Sequence, residues 1–306
     1  MLFSIYQHTV GRQVTCSGVG LHTGARVQVT LVPAPEDTGI VFVRTDINDG
    51  RRAEVRAHVS RVVDTNLGTT LANSYGVKVA TVEHLMSALA GCGIDNVRVM
   101  LSGPEVPIMD GSAEPFVFLV ECAGLAEQSA PRRYLKVRET VEVRDGAGWM
   151  RLSPAADFHV SLEIDFDNPL VSQQSKHYNF GQTSFKNTVS RARTFGFAEE
   201  VSHLRSMGLA LGGSLDNAII VDRDTVLNHG GLRYQDEFVR HKILDCVGDL
   251  YLAGTQVIGH VEGHRSGHGL NAALLRELFR RDAYDLVYAT SIAGVPTAAE
   301  VEMAAA

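Results

Sequence analysis

A twice-repeated order of strand and helix patterns does most to constrain how this chain can fold. Val27-Gln28-Val29-Thr30-Leu31-Val32 alternates apolar and polar side chains, as a half-buried strand does, and a turn follows from Pro33 to Gly39. Val82, Leu85, Met86 and Leu89 then recur at i, i+3, i+4 and i+7, which predicts a helix closed by Gly91 and Gly93. A strand over Asn96 to Leu101 and a short helix over Glu114 to Cys122 complete the first set. The second set is expected as strands at Leu135 to Arg144, Met150 to Leu152 and His159 to Ile164. A long helix from about Asp236 to Leu252, a strand from Gln256 to Val261 and a last helix from about Leu270 to Arg280 follow. Between the sets, Ser129-Ala130-Pro131-Arg132-Arg133 reads as a linker. The pattern predicts an α+β fold of two similar domains, 1–128 and 129–306, each a sheet packed with helices and suggestive of duplication. The Ala304-Ala305-Ala306 end is expected to fray.

Composition excludes several classes. Hydrophobic residues make up 45% and charged residues 21% of the 306, which fits a globular protein and not a disordered one. The formal net charge is -7, so a basic face for nucleic acid is not expected. Cys16, Cys92, Cys122 and Cys246 form no CxxC pair and are expected as free, mostly buried thiols in a reducing compartment. The N-terminus lacks a basic region followed by an apolar run, and no stretch reaches ~18 uninterrupted apolar residues. A cytoplasmic protein with no transmembrane segment is therefore expected.

Two helices carry chemistry off their apolar stripes. At ~100° per residue, Glu83 and His84 fall away from Val82, Leu85, Met86 and Leu89. Alone, such a pair reads as a solvated helix face. In the second long helix His241 and Asp245 are at i, i+4, and Asp249 extends the row to i+8. Ligands one turn apart can meet one cation, and two histidines with one aspartate leave a fourth position open, as catalytic zinc requires. Taken alone, the row reads as an ordinary helical His–Asp pair. Lys242 beside it reads as a phosphate contact or as surface charge. A third cluster, His264-Arg265-Ser266-Gly267-His268-Gly269-Leu270-Asn271, sets His268 between glycines just before a helix; alone, it reads as a turn histidine.

Taken together, these segments resemble the UDP-3-O-acyl-N-acetylglucosamine deacetylases, the LpxC family. The matching stretches are Gly18-Val19-Gly20-Leu21-His22-Thr23-Gly24, Thr81-Val82-Glu83-His84-Leu85 and Pro107-Ile108-Met109-Asp110-Gly111-Ser112-Ala113. Arg191-Ala192-Arg193-Thr194-Phe195-Gly196, Asp236-Glu237-Phe238-Val239-Arg240-His241-Lys242 and Ser266-Gly267-His268 complete them. Each motif is short, but six in register cover nearly the whole chain. The resemblance implies two α+β domains with the active site in the cleft between them. It implies Zn2+, with Fe2+ also suited to the ligands, held by His84, His241 and Asp245. Glu83 would be the general base, His268 the cationic acid, Asp249 its orienting partner and Thr194 a contact to the reacting carbonyl. Phe195 would pack near the sugar and Lys242 near the diphosphate, with Leu67 and Gly213 also in contact with substrate. The partner would be an acylated UDP-sugar bound to a monomer, in lipid A biosynthesis. Gly68 departs from the pattern, since many members carry a cysteine there.

The segment 198–213, within the stretch 197–221, supports two readings. Val201, Leu204, Leu209 and Leu211 with Gly208, Gly212 and Gly213 read, as residues alone, as a core helix with a turn. The resemblance implies instead an apolar passage for the acyl chain. Two other functions remain open on sequence: a zinc amidohydrolase for another N-acyl sugar, which needs no such passage, and a non-catalytic sugar-nucleotide binding protein. The second would be expected to lose Glu83 or a metal ligand, and all are present.

Overall fold

The computed structural model of the chain describes residues 4–292; the alanine end lies outside them. The architecture is α+β. The first five-stranded sheet runs in the order Val14–Val19, Arg26–Pro33, Val97–Leu101, Ile40–Arg44, Glu54–Arg56. In Arg26–Pro33 the branched Val27, Val29 and Leu31 point inward and are buried, while Arg26 and Gln28 face out, as the period of two requires. Ile40–Arg44 and Val97–Leu101 run parallel, and the long crossover between them carries helix α1, Glu83–Cys92. Helix α2, Glu114–Ala123, follows, with Glu114-Pro115 opening its first turn.

The second half has the expected order. Its seven-stranded sheet runs Val141–Asp145, Gly148–Ser153, Gln256–His264, Arg133–Val137, Tyr284–Tyr288, with Phe158–Ile164 also paired to Gln256–His264 and Gln174–Asn179 beyond it. Short helix α3, Phe185–Thr188, and helix α4, Ala198–Ser206, precede the long helix α5, Glu237–Leu250, and the last helix α6, His268–Arg280. Each half therefore passes from strands to helix, strand and helix.

Three local expectations are corrected. Residues 129–131 are no loose linker: they end the strand Leu125–Pro131, which pairs antiparallel with Tyr6–Val10. The exposed, alternating side chains of this edge strand look like a linker in sequence because only main-chain bonds to a distant strand define it. The expected strand 135–144 is two strands, broken where the Arg138 and Glu139 amides bond the Ala283 carbonyl. Of the four free cysteines only Cys246 is fully buried.

The two halves meet through α1 and α5. Ser87 Oγ donates to the Leu244 carbonyl at 2.8 Å. A Cβ at Gly248 would lie 2.0 Å from the Glu83 carbonyl oxygen, so only glycine lets the two helix backbones approach this closely. The expected result for Gly248→Ala is a loss of about 1–3 kcal/mol from overpacking, since the three nearest obstructing atoms, Glu83 O and C and Ser87 N, are all backbone, together with weakened metal retention. Urea unfolding and metal analysis of the variant check this. A Tm and metal content equal to those of the parent would show that the contact is not needed.

Candidate metal and catalytic centre

The close crossing of α1 and α5 decides the fate of Glu83 and His84. Both are buried, at 3% and 4% exposure, because α5 covers the face that a lone helix would give to solvent. His241 and Asp245 project from α5 to meet them. Asp245 Oδ1 lies 3.5 Å from His84 Nε2 and 3.3 Å from His241 Nε2. Among the described residues these three alone offer ligand atoms within 4.8 Å of one another. Tetrahedral ligands bound at ~2.0–2.1 Å stand about 3.3 Å apart, so the spacing suits one cation.

Electrostatics agree with that use. Asp245 Oδ1 is buried and accepts no hydrogen bond, a costly state for a carboxylate oxygen that a cation would relieve. Burial pushes His241 down to about 4, against the opposing pull of Asp245, so its imidazole is neutral at pH 7. Burial would raise Asp245, but His241 and Lys242 outweigh it and hold the carboxyl well below its ordinary range. Neutral imidazole and ionised carboxylate are the forms a metal takes. His241 Nδ1 donates to the Ala192 carbonyl at 3.0 Å, which fixes the tautomer and turns Nε2 toward the site. His84 Nδ1 is buried without a partner. Lys242 is not surface charge: its Nζ donates to Asp245 Oδ2 at 3.0 Å and is only 15% exposed at the side chain.

A second group adjoins the first. His268 opens α6, with Gly267 as the residue before it in extended backbone. It is the helix's first residue and not part of the preceding loop. His268 Nδ1 donates to Asp249 Oδ2 at 2.8 Å, and Asn271 Nδ2 donates to the same oxygen at 2.8 Å. Thr69 Oγ1 donates to Asp249 Oδ1 at 2.6 Å, while the Thr69 amide donates to Glu83 Oε2 at 2.9 Å. Glu83 Oε1 faces His268 Nε2 at 4.0 Å. Burial alone would lower His268, but Asp249 and Glu83 overcome it and lift it to about 9, so it is a cation at neutral pH. Burial raises the Glu83 carboxyl, with the charges of His268 and His84 pulling against it.

Thr69 and Asn271 were not among the candidates. Asn271 could be found as the i+3 neighbour of His268 on one helix face. Nothing in sequence ties Thr69 to Asp249. Gly68 stands beside the Glu83 carboxylate: a Cβ there would lie 3.0 Å from Glu83 Oε1.

Thr194 bonds through its amide to the Gly111 carbonyl and through its carbonyl to the Ile219 amide. It follows Ala192, the partner of His241. Phe195, half-buried, packs edge-on against Phe238 at 5.0 Å and His241 at 6.4 Å between ring centroids. Leu67 is 46% exposed, and its carbonyl accepts from His22 Nε2 at 3.1 Å. The buried Glu105 carboxylate accepts from the His22 amide and from the Thr23 amide and hydroxyl, which explains the Gly18–Gly24 motif as a braced turn. The Leu211 and Gly212 amides bond the His22 and Leu21 carbonyls, and Gly213 lies beside Leu21. The core reading of 198–213 is overturned. Helix α4 buries no residue, and Met207, Leu211 and Leu215 are 53%, 52% and 47% exposed. These side chains form an apolar rim open to solvent, not core. Among the described residues no helix is long and apolar enough to cross a membrane.

Comparison with known proteins agrees with this arrangement. The family model described as LpxC, UDP-3-O-acyl N-acetylglycosamine deacetylase, matches residues 7–280. A UDP-3-O-acyl-N-acetylglucosamine deacetylase of Acidithiobacillus ferrooxidans is 53% identical over 286 residues, covering 92% of this chain and 93% of that one. One from Hahella chejuensis is 53% identical over 286 residues, covering 92% and 94%. One from a Shewanella species is 47% identical over 295 residues, covering 95% and 96%. With a match over most of its length and a buried His, His, Asp set at the crossing of α1 and α5, the chain belongs to the LpxC family of deacetylases.

Proposed function

We propose that this protein hydrolyses the N-acetyl group of UDP-3-O-acyl-N-acetylglucosamine, releasing acetate, as a cytoplasmic, monomeric, zinc-dependent enzyme of lipid A biosynthesis. The chain is read as two domains, 1–128 and 129–306, with the site where their long helices cross. The observation that carries this reading is the convergence of His84, His241 and Asp245 beside Glu83 and His268. Zn2+, or Fe2+ on the same donors, would supply Lewis-acid chemistry there: polarising the acetamide carbonyl and acidifying water.

The chain's own groups do the rest. Glu83, aimed by the Thr69 amide, takes the proton of the attacking water as the new C–O bond forms. The C–N bond then breaks, and the leaving amine takes a proton from His268 Nε2. Asp249 holds His268 charged and oriented through Nδ1, as Asn271 and Thr69 hold Asp249. Thr194 and the His268 cation stabilise the oxyanion. Lys242 is assigned to the diphosphate side, and Phe195 to the sugar. The exposed apolar rim at Met207, Leu211 and Leu215 fits the acyl chain.

The reading is tested by acetate release from the acylated sugar nucleotide and from its chainless analogue. Each buried methylene contributes up to ~0.8 kcal/mol, so several are worth orders of magnitude in kcat/KM, and the chainless substrate should be that much slower. Equal turnover of the two would favour an amidohydrolase for another N-acyl sugar.

The role of His268 has its own signature. Its folded value of about 9 lies above the ordinary 6.5. The charged acid is thus present at neutral pH and is lost as pH rises through about 9, where kcat/KM should fall. The same sign holds for stability: the contribution is whole below pH 6.5 and disappears as pH rises through about 9. His268→Gln should lower the rate by ~10²–10⁴-fold and alter the basic limb. An unchanged profile at near-normal rate would remove His268 from the reaction.

A further inference from the structure

Three histidines stand together on the outward face of the second sheet, away from the site described above. His159 lies on Phe158–Ile164, His177 on Gln174–Asn179 and His260 on Gln256–His264. The register sets His159 directly opposite His260, and Ser161 opposite both His177 and Glu262. The side chains between them in sequence, Val160, Leu162 and Val261, point the other way into the core shared with Ile243 and Leu244 of α5. The sheet thus separates this cluster from the crossing of α1 and α5. His177 is exposed, and His159 and His260 are partly so.

We propose that His159, His177 and His260 form a second metal site, for a divalent transition-metal ion such as Zn2+. The ring centroids are 5.5 Å apart for His159 and His177, 5.6 Å for His159 and His260, and 5.8 Å for His177 and His260. A tetrahedral ion bound at ~2.0–2.1 Å places three ligating imidazole centroids about 5 Å apart. As the rings stand, their nitrogens are not all within 4.8 Å of one another; the centroids need to close by less than about 1 Å, and rotation about Cβ–Cγ must turn the nitrogens inward.

At present two of those nitrogens are engaged with one hydroxyl: Ser161 Oγ is 2.8 Å from His177 Nδ1 and 2.8 Å from His260 Nε2. That hydroxyl has one proton and two lone pairs, so it donates to at most one of the two rings and accepts from the other or from both. A set of imidazoles suits borderline ions such as Zn2+, not Mg2+ or Ca2+, which prefer oxygen ligands. Bound there, an ion would tie Gln174–Asn179, the strand beyond Phe158–Ile164, to two inner strands.

The test uses the enzyme carrying its catalytic equivalent. Added Zn2+ followed by calorimetry and metal analysis after dialysis should show a second equivalent, and Co2+ in its place should give the visible bands of tetrahedral coordination. Zn2+ should raise Tm, because it binds only the folded sheet. His177→Ala, a change at an exposed position, should lower affinity for the second equivalent at least ~10-fold and abolish the rise in Tm, with acetate release unchanged. The triple variant His159→Ala, His177→Ala, His260→Ala should lose that equivalent entirely. His241→Ala should lose the first equivalent and keep the second. A single equivalent in the unmodified protein, or a second that survives in His177→Ala and the triple variant alike, would overturn the site.

Discussion

His241→Ala is expected to abolish both metal retention and acetate release. The substitution removes one of three converging ligand atoms and leaves Asp245 Oδ1 facing His84 alone. It also strips the Ala192 carbonyl of its donor. Outer-shell changes at metal sites typically cost ~10–100-fold in affinity, and loss of a ligand from a set of three should exceed that. Elemental analysis after dialysis should find the catalytic equivalent gone. In the unmodified protein a chelator should abolish activity and Zn2+ restore it; in the variant added Zn2+ should restore nothing. A variant that keeps its catalytic metal and its rate would show that the three side chains meet for another reason.

Glu83→Gln should keep metal and fold while losing ~10²–10⁴ in kcat, the usual worth of a general base. That factor corresponds to about 3–5 kcal/mol of barrier. The amide is nearly isosteric, and its oxygen can still accept from the Thr69 amide, which now meets Glu83 Oε2 at 2.9 Å. It cannot take a proton from water. Burial raises the Glu83 carboxyl, so ionising it in the folded protein opposes stability above its ordinary range. A neutral amide removes that cost, and Tm should be unchanged or higher. The acid limb of the pH profile should also leave with the carboxylate. A rate within a few-fold of the parent would assign the base to another group, and a lower metal content would make Glu83 part of the metal's support instead.

The contrast between these two residues and the rest of the site separates what sequence determines from what folding decides. Local periodicity was enough for the helices: Val82, Leu85, Met86 and Leu89 mark α1, and the His241, Asp245, Asp249 row is fixed on one face of α5 by 3.6 residues per turn. The repeated order of strand, helix, strand and helix was legible for the same reason, because each element has its own period. The strand 125–131 was not, since its partner lies more than a hundred residues away and its side chains are those of a linker. Nor was the burial of Glu83 and His84, which depends on Gly248 letting another helix press within backbone contact. Thr69 and Asp249 are 180 residues apart, and only the closed structure puts the hydroxyl on the carboxylate. Segment 198–213 shows the reverse: Val201, Leu204 and Leu209 have the composition of core, yet α4 buries none of its residues fully, Leu209 is only half-buried, and Met207 and Leu211 beyond the helix stand in solvent. Sequence thus determined which residues share a helix face, because that follows from bond geometry over a few residues. Tertiary structure decided which faces meet and which stay open. It therefore decided the charge state of His268 and the neutral form of His241, since both follow from burial and from neighbours brought in from elsewhere in the chain.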